Sequence, residues 1–523
     1  MDDGSAQAAL DREGEAGSAE LSPVSLAIVK SRAQVGIDAP EVTVEVFLSG
    51  GLPSSSIVGL AETAVRESKE RVRGAILNSG FKFPQERISV SLGPADLRKS
   101  GGRFDLAIAL GILAAQRIVP RHALDDYEFY GELGMNGELH PVPGVLPAAI
   151  KAGEAGKAIV VPARNGLEAS LSTARVFVAD SLLHVTGHLC GTGMLELLHR
   201  CTPPAIAAGG ADLADVKGQG VARRALEIAA AGGHNILFSG PPGAGKSMLA
   251  RRLPGILPPM SDREALETAA VDSVLGRPFE LSHWRQRPFR APHHTASAAA
   301  LVGGGSDPRP GEISRAHNGV LFLDELPEFS RHVLEVLREP MESGITTISR
   351  AIRQADFPAR FQLVAAMNPC PCGYLGDPKS DCRCSEERVR SYRAKISGPL
   401  LDRIDIQVVV QRLPPESLRP GGKPGEASAV VRERVCAARE RQVSRSGDCN
   451  ARLKNDRVDE TCALAPEGWD LLEQATERFG LSARAHQRVR RVARTIADLD
   501  GEDCIEVPHL AEALSLRQFD REP

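Results

Sequence analysis

No apolar run in this 523-residue chain approaches the roughly 18 to 20 residues needed to span a bilayer, so no contact with a membrane is expected. An excess of charge of one sign is missing too: 63 Lys and Arg stand against 67 Asp and Glu, a net charge of -4. That balance gives no global signature of nucleic-acid binding, so any such contact must come from local basic patches. The opening stretch MDDGSAQAALDREGEAGSAELSP has neither the basic n-region nor the apolar core of a signal peptide. Acidic and rich in Gly and Ala, residues 1–22 are expected to form a disordered tail. There is no internal repeat. Six of the ten cysteines are scattered, which suits a reducing cytosol and a cytoplasmic protein.

What is present is ordinary in bulk, with 42% apolar and 25% charged residues, as in globular proteins generally. The length suggests about three domains at roughly 150 residues each. Residues 23–190 alternate short β-rich runs (EVTVEVFLSGG, RISVSLGPADL) with helical patterns (AETAVRESKERVRGAIL), and FDLAIALGILAAQ reads as a buried helix. A connector over 191–214 leads to 215–412, where strands and helices alternate as in a parallel α/β sheet. After a linker at 413–425, residues 426–523 read as mostly helical.

NILFSGPPGAGKSMLARRL carries the strongest signal. An apolar strand runs into Gly240, Pro241, Pro242, Gly243, Ala244, Gly245, Lys246 and Ser247, and a helix follows: the G-x-x-x-x-G-K-[ST] phosphate loop in its strand–loop–helix setting. Such a loop turns backbone N–H groups toward phosphates, Lys246 reaches the β- and γ-phosphates of ATP, and Ser247 ligates Mg²⁺. Eighty residues on, NGVLFLDELPEF reads as a strand delivering Asp324 and Glu325 at its C-terminal end. Asp324 suits the magnesium shell, and Glu325 suits a general base for the attacking water.

FQLVAAM reads as a third strand of that sheet, ending at Asn368, whose amide is placed to orient the lytic water. In ISGPLLDRIDIQVVV, Arg403 precedes a further strand, and a guanidinium is the right group to neutralise charge on γ-phosphate oxygens. Arg484 opens the helix ARAHQRVRRVARTIADL. Its core stripe is Val489, Val492, Ala493 and Ile496, with Arg484, Arg488 and Arg491 on the opposite face. Without an ATPase around it, that arginine face reads as solvated surface.

These motifs, GPPGAGKS, LFLDE, Asn368, LLDRID and LSARAHQRVRRVARTIADL, resemble an AAA+ ATPase of the magnesium-chelatase-like group. FRAPHHTASAAALVGGGSDPRPGEISRAHNGVLFLDELPEF, PARFQLVAAMNPCPCGYLGDP and SLGPADLRKSGGRFDLAIALGILAA narrow the likeness. They resemble the YifB/ComM family of bacterial competence-related proteins, over nearly everything from 24 to 520. The resemblance implies a homo-hexameric ring ATPase acting as a DNA helicase, which promotes branch migration in recombination and natural transformation. It makes Asn368 the first sensor, Arg403 the finger reaching a neighbour's site, and Arg484 the second sensor on a helical lid. It also suggests two pore-facing insertions, RPFRAPHHTASAAALVGGG and the hairpin GITTISRAIRQADFPARF. Arg350 and Arg353 near the hairpin tip would contact DNA phosphates without reading sequence. His293 and His294 are expected to pack or hydrogen-bond within the first insertion rather than ligate a metal. The rival class is an ATP-driven protein remodeller, a chaperone or metal-chelatase motor subunit, which would share every nucleotide motif.

The N-terminal domain resembles the Lon-protease fold. A protease of that kind needs an activated nucleophilic serine, yet the comparable stretch SGGRFDLAIALG has Phe104 and Asp105 where it would stand. Lys99 and Ser100 are adjacent, so in an extended chain they point to opposite sides. A scaffold or DNA-guiding collar is expected instead of a peptidase.

Four cysteines remain: Cys370, Cys372, Cys382 and Cys384, within NPCPCGYLGDPKSDCRCS. Two C-x-C pairs in a loop leaving the ATPase sheet suit a tetrahedral structural Zn²⁺, although two residues more commonly separate paired ligands. Four reduced thiols, or a redox-sensitive pair, are the other readings.

Overall fold

Val42, Val44, Val46 and Leu48 are buried at every second position along Glu41–Ser49, the period of a strand with one face on a core. The computed structural model describes residues 25–201, 210–305, 308–350, 353–377, 379–414 and 425–517. The expected tail at 1–22, most of the linker at 413–425 and the side chains of Arg350 and Arg353 lie outside the described part. The chain divides into two units, residues 25–34 with 39–200, and residues 35–38 with 201 onward.

The first unit is built on eight strands: β1 (Ser25–Arg32), β2 (Glu41–Ser49), β3 (Ser54–Val58), β4 (Arg87–Gly93), β5 (Tyr127–Phe129), β6 (Ala158–Pro162), β7 (Arg175–Ala179) and β8 (Glu196–Leu198). Their order is β8-β7-β6-β5-β1-β2-β4-β3. The pairs β1–β2 and β2–β4 are antiparallel, while β5, β6 and β7 run parallel. The edge strand β8 falls inside the stretch expected as a connector. Helix α1 (Thr63–Asn78) is amphipathic, but α2 (Asp105–Ala115) is buried around its whole circumference. At Gly111 a Cβ would stand 2.5 Å from Val46 Cγ2, so glycine is what lets α2 lie against β2.

Asp105, in the position compared with a protease nucleophile, is buried and paired with Arg71 at 2.7 Å. Burial pushes its carboxyl up to about 7 despite that partner. Lys99 is buried as well, its ammonium donating to the Pro94 carbonyl.

The second unit opens with α3 (Gly220–Gly232), β9 (Ile236–Ser239) and α4 (Lys246–Ala250). Then come β10 (Phe289–Arg290), α5 (Ala298–Val302), β11 (Val320–Leu323), the hairpin β12 (Ile345–Arg350) and β13 (Arg353–Pro358), β14 (Gln362–Met367) and β15 (Ile406–Val409). The central sheet has the order β10-β11-β14-β9-β15, and every pairing in it is parallel. Strands β9, β11 and β14 are buried at every residue, which explains their unbroken apolar runs: a parallel sheet is covered on both faces. Phe238, Phe322 and Val364 feed one core, Leu237, Leu321 and Leu363 the other.

Helices α6 (Ser428–Ser446), α7 (Pro466–Phe479), α8 (Ala483–Asp500) and α9 (Val507–Ser515) complete the unit. Val489, Val492, Ala493 and Ile496 of α8 share one core with Ile236 and Phe238 of the sheet. The arginine face of α8 is not a solvated surface. Arg491 is buried and donates to Leu453 O and Asn455 Oδ1, and Arg488 pairs with buried Asp405 at 2.5 Å. Of the three, only Arg484 is exposed.

Candidate functional site

Register decides what meets at the sheet's C-terminal edge. Ser239 lies opposite Met367 and Leu323 opposite Ala365, so the loops beginning at 240, 324 and 368 leave the sheet side by side. Gly240 must be glycine because a Cβ would run into the Val410 carbonyl, and Gly245 holds φ +96, a conformation other residues seldom adopt.

Inside this edge the expected residues converge. The Lys246 ammonium donates to Gly240 O at 2.6 Å, Pro241 O at 3.1 Å and Asn368 Oδ1 at 3.0 Å. Burial pulls its pKa below the usual lysine value, while the carboxylates of Asp324 and Glu325 pull the other way. Ser247 Oγ donates to Asp324 Oδ2 at 2.6 Å. Glu325 follows in the left-handed region, φ +54, a strained backbone of the kind that collects at functional sites. Its carboxylate lies 3.3 Å from His294 Nδ1.

This donor set fits a nucleotide with Mg²⁺. Lys246 is fastened only to neutral carbonyl and amide oxygens, partners that an anionic phosphate would outcompete. The Ser247 hydroxyl and Asp324 carboxylate sit side by side, as an oxygen-seeking dication requires.

Arg403 and Arg484 stand elsewhere. The Asn235 side chain, at the entry to β9, donates to Arg403 O at 3.0 Å, which puts Arg403 at the sheet's N-terminal edge. Strand β9 lies between that edge and Gly240, about 16 Å at ~3.3 Å per residue. The Arg403 guanidinium is held by Glu342 at 2.5 Å and Pro399 O at 2.6 Å. Helix α8 begins over the same edge, with Ser482 Oγ donating to Asp402 at 3.4 Å and Arg488 engaging Asp405. Arg484 lies in the helical turn between them. One edge therefore carries the phosphate loop, and the other carries both arginines.

The four cysteines do come together. The sulfurs of Cys370, Cys372 and Cys382 lie 3.3 to 3.6 Å apart, and all four lie within 4.8 Å of one another. A ZnS₄ tetrahedron with bonds near 2.3 Å has edges of about 3.8 Å. Backbone N–H groups of Tyr374 and Arg383 pull the Cys372 thiol down to about 6. The loop leans on the phosphate loop: a Cβ at Gly373 would stand 2.7 Å from Pro242 Cδ. Arg412 bridges Pro242 O at 3.3 Å and Asp377 at 3.4 Å.

Residues 44–165, 212–418 and 425–517 match the families described as subunit ChlI of Mg-chelatase, magnesium chelatase subunit ChlI, and its C-terminal part. The chain is 50% identical to the competence protein ComM of Haemophilus influenzae over 503 residues, 95% of this chain and 98% of that one. It belongs to the ComM/YifB family. YifB of Escherichia coli is 49% identical over 500 residues, again 95% and 98% of the two chains. The magnesium-chelatase 38 kDa subunit of Cereibacter sphaeroides is 29% identical over 154 residues, 26% of this chain and 45% of that protein. This ComM/YifB chain thus carries the magnesium-chelatase-like AAA+ arrangement in its second unit. No helix among its described residues is long and apolar enough to cross a membrane.

Sequence reasoning missed three contacts. Arg412 marked only the end of the expected 215–412 segment, with no motif to single it out. Asp405 and Arg488 find each other across 83 residues, and only folding reveals that. His294 was expected to pack within its own insertion, with no sign that it touches Glu325.

Proposed function

We propose that the chain is an ATP-hydrolysing motor that assembles as a hexameric ring and moves DNA strands, driving branch migration during recombination and transformation in the cytoplasm. The observation that carries this is the split of the machinery between two edges of one sheet. Lys246, Ser247, Asp324, Glu325 and Asn368 share an edge, and Arg403 lies a strand's length away. It cannot reach its own chain's phosphates, so it acts on a neighbour's, which calls for a closed ring of copies. Arg484 follows it to the same border.

Within a site, Lys246 holds the phosphates and Ser247 with Asp324 holds Mg²⁺. Glu325 takes the proton of the attacking water, and Asn368 orients that water. Arg403 stabilises charge on the transferred phosphoryl group once it leaves Glu342. The name of the H. influenzae relative, a competence protein, supports DNA as the cargo. Arg350 and Arg353 at the hairpin tip suit phosphate contacts without sequence preference. The four cysteines hold a structural Zn²⁺ that braces the loop between Asn368 and Pro242. The Lon-like first unit serves as a collar and not as a peptidase, with Lys99 and Asp105 both occupied structurally.

The test is strand exchange on synthetic three-strand and four-way junctions, with and without ATP. ATP-dependent product that vanishes in Lys246→Ala supports the motor. Turnover that ignores DNA yet responds to a protein client would replace it with a protein remodeller.

A further inference from the structure

Strand β14 pairs with β9 as far as Met367, which lies opposite Ser239, and Asn368 is one residue past that ladder. Its side chain is engaged, since Oδ1 accepts a hydrogen bond from Lys246 Nζ at 3.0 Å. Its backbone N–H needs an acceptor outside the sheet, because a backbone donor inside a protein seldom goes unpaired. That acceptor comes from further along the chain. After Pro369 the backbone runs through the four-cysteine loop and returns as the helix Glu386–Arg393. Ser385 caps this helix, its Oγ accepting from Arg388 N–H at 3.3 Å. Glu386 and Glu387 occupy the first turn, where acidic side chains suit the helix dipole. Val389 and Tyr392 are its buried residues; three positions apart, they share one face.

The last turn of the helix grips the backbone around Asn368 at two points. The Tyr392 hydroxyl oxygen accepts the Asn368 backbone N–H, and Arg393 Nε donates to Pro369 O at 3.2 Å. Tyr392 is buried, and burial pushes its phenol up to about 12, so it stays an uncharged hydroxyl at neutral pH. Pro369 itself confines the residue before it to extended backbone. The cysteine sulfurs, all within 4.8 Å of one another, close the loop that brings the helix back to the strand it left.

We propose that Tyr392 and Arg393 are positioning residues for hydrolysis, which hold the Asn368 amide where it meets Lys246 and the attacking water. Neither acts on the phosphates; both act through Asn368, 24 residues from Arg393's contact with its proline neighbour. A group that orients a reactant loses rate steeply when it drifts, about 10²-fold for a shift of ~1 Å. The grip rests on the contacts just described, and the part Asn368 plays in hydrolysis rests on the functional reading above.

The experiment measures ATP turnover and the affinity for a fluorescent ATP analogue in the full chain. Five variants are compared with the native protein: Tyr392→Phe, Arg393→Ala, Arg393→Lys, Asn368→Ala, and Tyr392→Phe combined with Asn368→Ala. Tyr392→Phe keeps the buried ring and removes only the hydroxyl. It should lower kcat about 3- to 10-fold, the scale of one neutral hydrogen bond, with analogue Kd and urea midpoint unchanged. Arg393→Ala should lower kcat as well, and Arg393→Lys, which still donates to a carbonyl, should recover most of it. In the double variant the loss should equal that of Asn368→Ala alone, because the hydroxyl has no amide left to position. Unchanged kcat in Tyr392→Phe, a loss that adds in full to that of Asn368→Ala, or a Lys variant no better than Ala overturns the positioning role. Asn368→Ala by itself judges the functional reading: full turnover there removes the amide from hydrolysis and the proposal with it.

Discussion

Ser247 donates its hydroxyl hydrogen to Asp324 at 2.6 Å, although 77 residues separate them in the chain. The contact exists because β9 and β11 flank β14 in a parallel sheet whose C-terminal ends are in register. A phosphate loop and its acidic partner are thereby joined before any nucleotide arrives.

Lys246 is the cation of that site. Replacing it with Ala should weaken binding of a fluorescent ATP analogue about 10- to 100-fold, the scale of one or two charge-assisted hydrogen bonds. Equilibrium titration checks this, and an unchanged Kd would remove Lys246 from the phosphate site.

Glu325→Gln keeps the shape and removes the proposed base. ATP should still bind, while kcat drops by about 10²- to 10⁴-fold. Single-turnover assays should find uncleaved nucleotide on the protein, and brisk cleavage would take the base role away from Glu325.

Arg403→Ala should lower turnover by ~10³ or more. Because Arg403 stands at the edge opposite Lys246, mixing the Arg403→Ala and Lys246→Ala proteins should recover part of the activity. Some borders then pair an intact loop with an intact arginine. No recovery at any mixing ratio would argue against action across a border.

Zinc should be present at one per chain in protein purified without chelator. Cys372→Ser should lose it and, since Gly373 rests on Pro242, should also weaken nucleotide binding. Elemental analysis beside an ATP titration reads both, and a metal-free native protein with full affinity would dismiss the site.

Asp405 joins Arg488 and His234 beneath the helices. Burial alone would push its carboxyl up, but the Arg488 guanidinium and the His234 imidazole more than reverse this and hold it well below the usual range. An acid held low when folded adds stability above its unfolded value of about 3.9, and that contribution drains away as pH falls toward the folded value. Asp405→Asn leaves the partly buried Arg488 guanidinium without its carboxylate partner and should cost about 3 kcal/mol. Urea melts at pH 7 and pH 4 test both points: the variant's deficit should shrink at the lower pH.

The chain by itself determined the elements that chemistry needs locally. Gly240 to Ser247, the apolar run before Asp324 and the run ending at Asn368 are contiguous in sequence, because a strand and the loop it delivers are neighbours along the backbone. The tertiary structure alone decided which edge each residue occupies. Arg403 is parted from the phosphate loop by the length of β9, Arg488 sinks onto Asp405 rather than facing water, and His294 meets Glu325. Those relations depend on strand order and helix packing, which bring together side chains far apart in sequence, and no local periodicity records them.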